Sequence, residues 1–117
     1  PLDVKRGRGG LIDLEFIVHY RQLLTGTGLI PNLRDALTAL VKDGQLEAAL
    51  LDAHDLLSDY LIVSRLVAGA VEGTGGAATR QLVADRCRAK DWTAVRSGIG
   101  NARKTIGATW KQQFGKE

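Results

Sequence analysis

The sequence predicts an all-α fold, an antiparallel bundle of four to five helices, and three observations predict it. The seam Leu46, Leu50, Ala53, Leu57, Tyr60, Ser64, Val67 and Val71 alternates four- and three-residue steps, and similar stripes recur along the chain, as they do on one side of a helix. Turn-forming residues interrupt those stripes at Thr25 to Pro31, at Gly44 and around Thr74, and each interruption is short enough to join neighbouring helices. No hairpin signal occurs, and the β-branched residues sit inside helical periods.

Residues 1–10 form a basic, glycine-rich arm, and residues 11–117 form the bundle. In the arm, Lys5-Arg6-Gly7-Arg8-Gly9-Gly10 leads straight into Leu11. Three glycines in four positions permit left-handed backbone, so successive N–H groups can converge into an anion-receptive nest, with Lys5, Arg6 and Arg8 adding charge. A helix beginning at Leu11 would add its unpaired N–H groups and the positive end of its dipole. The same residues also read as a plain flexible lead-in to a helix. They are not a P-loop, because no Gly-Lys-Ser/Thr follows, nor a dinucleotide fingerprint, because Ile12 stands at the third glycine position and no strand precedes.

A rotation of about 100° per residue places Ile12, Phe16, Ile17, Tyr20, Leu23 and Leu24 of the first helix on one broad apolar arc. Glu15, His19 and Gln22 fall on the opposite, polar face. Asp13 lies within the apolar arc, where burial is costly without a partner, so it is expected to meet a cation, a backbone N–H or a neighbouring domain. Arg65, in a mostly apolar stretch, is one candidate partner. Acids in an opening turn also offset the helix dipole without any further role.

Thr25 to Pro31 reverses the chain, and Asn32 caps a second helix whose stripe is Leu33, Ala36, Leu37, Leu40 and Val41, stopped by Gly44. The third helix runs from Leu46 to Val71. Gly69, Gly73, Gly75 and Gly76 mark the next break, and Leu82, Val83 and Cys87 give a partial stripe for a fourth helix over 77–90. Asp91 caps the last helix, with Trp92, Val95, Ile99, Ala102, Ile106, Trp110 and Phe114 on its apolar side. Gly98, Gly100 and Gly107 weaken that helix by roughly 1 kcal/mol each relative to alanine, which points to close approach of a neighbouring backbone or to local flexibility. Arg96, Arg103, Lys104 and Lys111 read as its solvated face.

With these elements in place, one stretch becomes recognisable. Asp3-Val4-Lys5-Arg6-Gly7-Arg8-Gly9-Gly10-Leu11-Ile12-Asp13-Leu14-Glu15-Phe16-Ile17-Val18 closely resembles the motif that follows the nucleotidyltransferase core in glutamine synthetase adenylyltransferases. A related motif occurs in the uridylyltransferases that modify the PII signal protein. Lys5, Gly7, Gly9, Gly10, Asp13, Glu15 and Phe16 match, while the family usually carries Gln where this chain has His19. The later helices, Leu46 to Val71 and Asp91 to Phe114, resemble the family's terminal helical domain more weakly.

The resemblance implies the C-terminal helical domain of a bifunctional enzyme that adenylylates and deadenylylates glutamine synthetase, taken from the adenylylating half. Pro1 in place of a start methionine fits a piece of a longer chain with the catalytic domain upstream. ATP and Mg²⁺ are then cofactors of the parent, and the upstream nucleotidyltransferase domain, glutamine synthetase and PII are partners. On this reading Lys5, Arg6, Gly7, Arg8, Gly9 and Gly10 contribute to nucleotide or phosphate binding, and Asp13 and Glu15 fix the interdomain geometry.

Nucleotidyl transfer requires closely spaced carboxylates for Mg²⁺ and a glycine-serine turn for the triphosphate. Asp13 and Glu15 point to different helix faces, and Asp52 and Asp55 lack such a turn, so the fragment alone is expected to hold no catalytic residue and to be inactive. A second reading, from another class, makes the bundle a docking module for glutamine synthetase or PII with the arm as a hinge. A third treats the chain, with pI about 9.3, as a nucleic-acid binder; scattered cations and the lack of a stacking platform set it aside.

The 117 residues suit one domain able to bury a core without disulfides. The lone Cys87 reads as a small core residue and favours a reducing, cytoplasmic setting. His54 has no second His or Cys at ligand spacing, so it reads as a solvated or capped histidine and no metal site is expected. No run of eighteen apolar residues and no charged-then-apolar leader occurs, so neither a membrane span nor a signal peptide is expected. A net charge of +3 permits an acidic partner without demanding one.

Overall fold

The computed structural model describes residues 3–70 and 76–115, the side chains of 67–70 excepted. Five helices follow the arm: α1 (Leu11–Thr25), α2 (Leu33–Lys42), α3 (Ala49–Ala70), α4 (Ala77–Arg86) and α5 (Trp92–Phe114). There is no strand among the described residues, and the fold is the all-α bundle that the periodicity predicts. The long helices α3 and α5 make the most extensive contact, α1 lies against α5, α2 and α3, and α4 packs on α3 and α5. Leu14, Ile17, Leu37, Leu40, Leu50, Leu57, Val95 and Ile106 are fully buried between them.

The helix ends explain the boundaries. Asn32 Oδ1 accepts from the Asp35 N–H at 3.0 Å and Asp91 Oδ1 from the Ala94 N–H at 2.8 Å, caps worth about 1 kcal/mol each. After α2, Gly44 at φ +80° lets the Gln45 N–H reach back to Leu40 O at 3.0 Å. The same closure ends α4 at Arg86 rather than at Lys90: Ala89 N–H donates to Ala84 O at 2.9 Å, with Arg88 at φ +59° in the position glycine usually takes. Cys87 is buried there, and desolvation pushes its thiol pKa up. The third helix begins at Ala49, because the bonds Leu50 N–H to Glu47 O and Leu51 N–H to Ala48 O leave Leu46 in the preceding turn. Its expected end at Val71, with Gly73 and Gly75, lies outside the described residues.

The register of α1 differs from the expected one. Its core side is Leu14, Ile17, Val18 and Gln22, whereas Phe16 is 55 % and Leu23 84 % exposed. Gln22, expected on the polar face, is buried because its Nε2 donates to the carbonyls of Gly28 and Ile30 and so satisfies itself while holding the turn. The helix carries two apolar stripes, and periodicity alone does not choose between them. The chosen stripe contains the compact aliphatic side chains that fit between α2, α3 and α5.

Of the three glycines in α5, only Gly98 is closely approached: a Cβ there would stand 2.9 Å from Leu56 Cδ2, at the end of a side chain that can shift. Gly100 would meet nothing within 4 Å, and Gly107 only Arg8 Cγ at 3.9 Å. Replacing Gly100→Ala is therefore expected to stabilise the domain by about 0.5–1 kcal/mol. Arg88→Gly should add about 1 kcal/mol by relieving left-handed backbone. Both are read from urea midpoints at unchanged m.

Between α2 and α3, Arg34 grips Asp55 through two bonds, Nε to Oδ1 at 3.1 Å and Nη2 to Oδ2 at 2.8 Å. Arg34's hydrogen bonds, aided by His54, lower the Asp55 pKa to about 2 against opposing desolvation. A carboxyl with a depressed folded-state pKa stabilises the fold fully above its unfolded pKa of about 3.9. That contribution fades as pH falls toward 2. Both side chains are nearly half exposed, so solvent screening limits it to about 1 kcal/mol or less. The stability difference between wild type and Asp55→Asn should therefore be measurable at pH 6 and shrink to a small remainder by pH 2 in denaturation series.

Candidate functional site

The arm folds onto the bundle as a closed backbone structure. Asp3 Oδ1 accepts from the Lys5 and Arg6 N–H groups, both at 3.1 Å, which holds its carboxyl below the usual range and turns the chain. Val4 is buried in the core. The Leu11 N–H then donates to Val4 O at 2.9 Å and the Ile12 N–H to Lys5 O at 3.0 Å, so arm carbonyls cap the first amides of α1. The Gly10 N–H closes on Gly7 O at 3.1 Å.

Asp13 completes the entry. Its Oδ2 accepts from the Gly9 N–H at 2.8 Å and from Arg8 Nη1 at 3.3 Å. A cation and a backbone N–H thus both meet the acid, supplied by the arm and not by Arg65. The Arg8 guanidinium also lies 4.4 Å from the ring centroid of Trp110, over its face.

Most of the amides that could form the expected nest are engaged within the chain. The amides of Lys5, Arg6, Gly9 and Gly10, together with those of Leu11 and Ile12, already donate to acceptors in this chain. The glycines answer a packing requirement instead. Gly7 and Gly9 have φ +78° and +85°. A Cβ at Gly7 would stand 2.9 Å from Arg103 Nη2, one at Gly9 would overlap the Arg103 carbonyl, and one at Gly10 would lie 2.6 Å from Lys5 O.

Arg103 is the residue that sequence reasoning missed. From α5 its Nη1 donates to Asp3 O at 2.6 Å and its Nη2 to Arg6 O at 2.9 Å. Nothing in the local pattern separates it from Arg96, Lys104 or Lys111; only the fold brings it beside the arm. The side chains of Lys5 and Arg6 remain exposed, as does Glu15, whose Oε2 lies 4.0 Å from His19 Nε2.

The other expected positions lie apart from this junction. His54 is mostly enclosed, its Nδ1 3.0 Å from Asp55 Oδ1 and its Nε2 3.4 Å from Ser58 Oγ. Among the described residues no three His, Cys, Asp or Glu side chains converge as metal ligands. An open groove of about 630 Å³ runs past Glu47, Lys104, Thr109 and Lys111, but none of the arm residues, Asp13 or Glu15 lines it. No helix among the described residues is long and apolar enough to cross a membrane.

The family model described as GlnD PII-uridylyltransferase matches residues 2–115, which include both the arm and the bundle. The chain belongs to the GlnD PII-uridylyltransferase family. No curated protein and no solved structure matches it. As a GlnD-family domain, the chain is associated with the nucleotidyltransferases of nitrogen regulation. The Gly7, Gly9 and Gly10 spacing is met here by contacts with Arg103 and with the arm's own carbonyls.

Gly9→Ala combines forbidden backbone with a clash against main chain and is expected to cost about 2–4 kcal/mol. Arg103→Ala should cost about 1–2 kcal/mol by releasing two carbonyls. Urea denaturation measures both. Amide exchange at Leu11 and Ile12 should accelerate in the Arg103→Ala protein while the α3 amides stay protected.

Proposed function

We propose that this domain follows the nucleotidyltransferase core in an enzyme that adenylylates and deadenylylates glutamine synthetase, within the adenylylating half. The arm is the fixed joint between the two. The observation that carries this reading is the agreement between the Lys5-to-Phe16 motif and the geometry around it. Every matched glycine, together with Asp13, helps to set the angle at which the chain enters α1. Such a joint defines where a preceding domain sits.

In this reading the arm serves the nucleotide through side chains rather than amides. Lys5 and Arg6 are exposed at the entry, and Arg8 is partly engaged by Asp13 and Trp110. Facing the upstream cleft, Lys5 and Arg6 would favour the triphosphate of ATP by charge. Glu15, exposed on α1, would meet the neighbouring domain. In this reading ATP and Mg²⁺ belong to the parent's catalytic domain, as nucleotidyl transfer needs paired carboxylates beside the triphosphate. The domain alone performs no transfer. The parent works in the cytoplasm, with glutamine synthetase and PII as partners.

A second reading follows from the family description, in which the parent transfers UMP to PII. A third is the docking module, in which the bundle binds glutamine synthetase or PII regardless of ATP. The full-length enzyme discriminates among them: the proposal expects label from ATP on glutamine synthetase. Transfer from UTP to PII, or ATP-independent binding without transfer, would replace it. Within the favoured reading, Lys5→Ala with Arg6→Ala should raise the KM for ATP roughly tenfold, about 1.4 kcal/mol, at similar kcat. Unchanged kinetics in a folded variant would remove the cations from the site.

A further inference from the structure

α1 carries a second apolar face that the bundle does not use. Ile12, Phe16 and Leu23 point away from Leu14 and Val18, and exposed Leu24, Leu29 and Ile30 lie at the end of α1 and in the turn after it. Six of the nine exposed large apolar side chains among the described residues thus fall between positions 12 and 30. Apolar residues scattered over a solvated surface would not gather in this way.

The face is also ordered in advance. The Phe16 ring stands edge-on to Trp110, centroids 5.4 Å apart, and to Phe114 at 5.7 Å. Gln22 holds Leu29 and Ile30 near the end of α1 through its bonds to the Gly28 and Ile30 carbonyls. A helix with apolar residues on opposite sides is suited to burial on both.

We infer that the outer face of α1 is the docking surface for the nucleotidyltransferase domain of the same polypeptide, with Ile12, Phe16 and Leu23 as its anchors. The inference rests on the reading proposed above, that such a domain precedes the arm. The path of the chain selects this occupant. The Ile12 N–H is bonded to Lys5 O and the Leu11 N–H to Val4 O, so the backbone enters the domain directly beside the apolar face. A domain tethered there is present at roughly millimolar effective concentration without any new contact. The composition agrees, since a largely apolar patch resembles a permanent interface more than a transient one. Exposed Lys5 and Arg6 would form its basic rim.

Full-length enzyme with the cysteines outside this domain replaced and one cysteine added provides the test, since Cys87 within the domain is buried. Maleimide should label Ile12→Cys and Leu23→Cys at least tenfold more slowly than Ser97→Cys, an exposed position on α5. A benzophenone side chain at Leu23 should cross-link to the segment that precedes the arm. Labelling as fast as at Ser97, or cross-links only to a second copy or to glutamine synthetase, overturns the inference. Assaying nucleotide transfer in the same preparations separates the two ideas. An active enzyme that labels freely keeps the transferase reading and loses the docking surface; a protected enzyme with no transfer keeps the same-chain contact and loses the transferase reading.

Discussion

The two bonds from Arg103 to the carbonyls of Asp3 and Arg6 are the constraint on which the amino-terminal half of the structure depends. They join positions 100 and 97 residues apart, so the last helix holds the first turn of the chain. A guanidinium suits the task because its planar fork presents several N–H groups at fixed angles, where an ammonium is a single point. With the arm held there, its Val4 side chain enters the core and its carbonyls stand above the start of α1. The glycines follow from that proximity: the backbone at Gly9 lies against the backbone of Arg103, and no side chain fits between them.

Capping α1 from within has a chemical consequence. A helix start usually offers unpaired amides to an anion or to water. Here the arm supplies acceptors for Leu11 and Ile12, and Asp13 supplies one for Gly9. The positive end of the dipole is therefore answered inside the chain, and the charges left for a neighbour are on long side chains. That arrangement fixes the direction in which the chain enters α1.

Much of the bundle was legible in the sequence. The stripes of α2 and α5, the caps Asn32 and Asp91 and the stop at Gly44 are local features, and local chemistry determines them. The face of α1 was not legible, because Ile12, Phe16 and Leu23 satisfy the helical period as well as Leu14, Ile17 and Val18 do. The end of α4 was obscured by a left-handed Arg88 in a place where glycine is the usual signal. At the site, the glycine pattern was visible but its cause was not. The same spacing serves a nest that opens to a ligand and a turn that closes on its own chain, and Arg103, far away in sequence, decides between them. The match to a family model over residues 2–115 reaches the same family neighbourhood that the motif alone indicated, and the description it carries names the PII-modifying branch.

The two faces of α1 differ in a way that bears on their roles. The inner one is aliphatic and complete: Leu14, Ile17 and Val18 are fully enclosed, and a core of this kind stabilises the bundle without help from outside. The outer one leads with an aromatic ring already set against Trp110 and Phe114. Holding a large side chain in one orientation before contact lowers the entropy lost when a partner arrives. Leaving Leu23 in water adds nothing to the fold and invites association. An exposed apolar stripe that is pre-ordered in this way is suited to a partner surface, since the entropy of orienting its ring is already lost before contact.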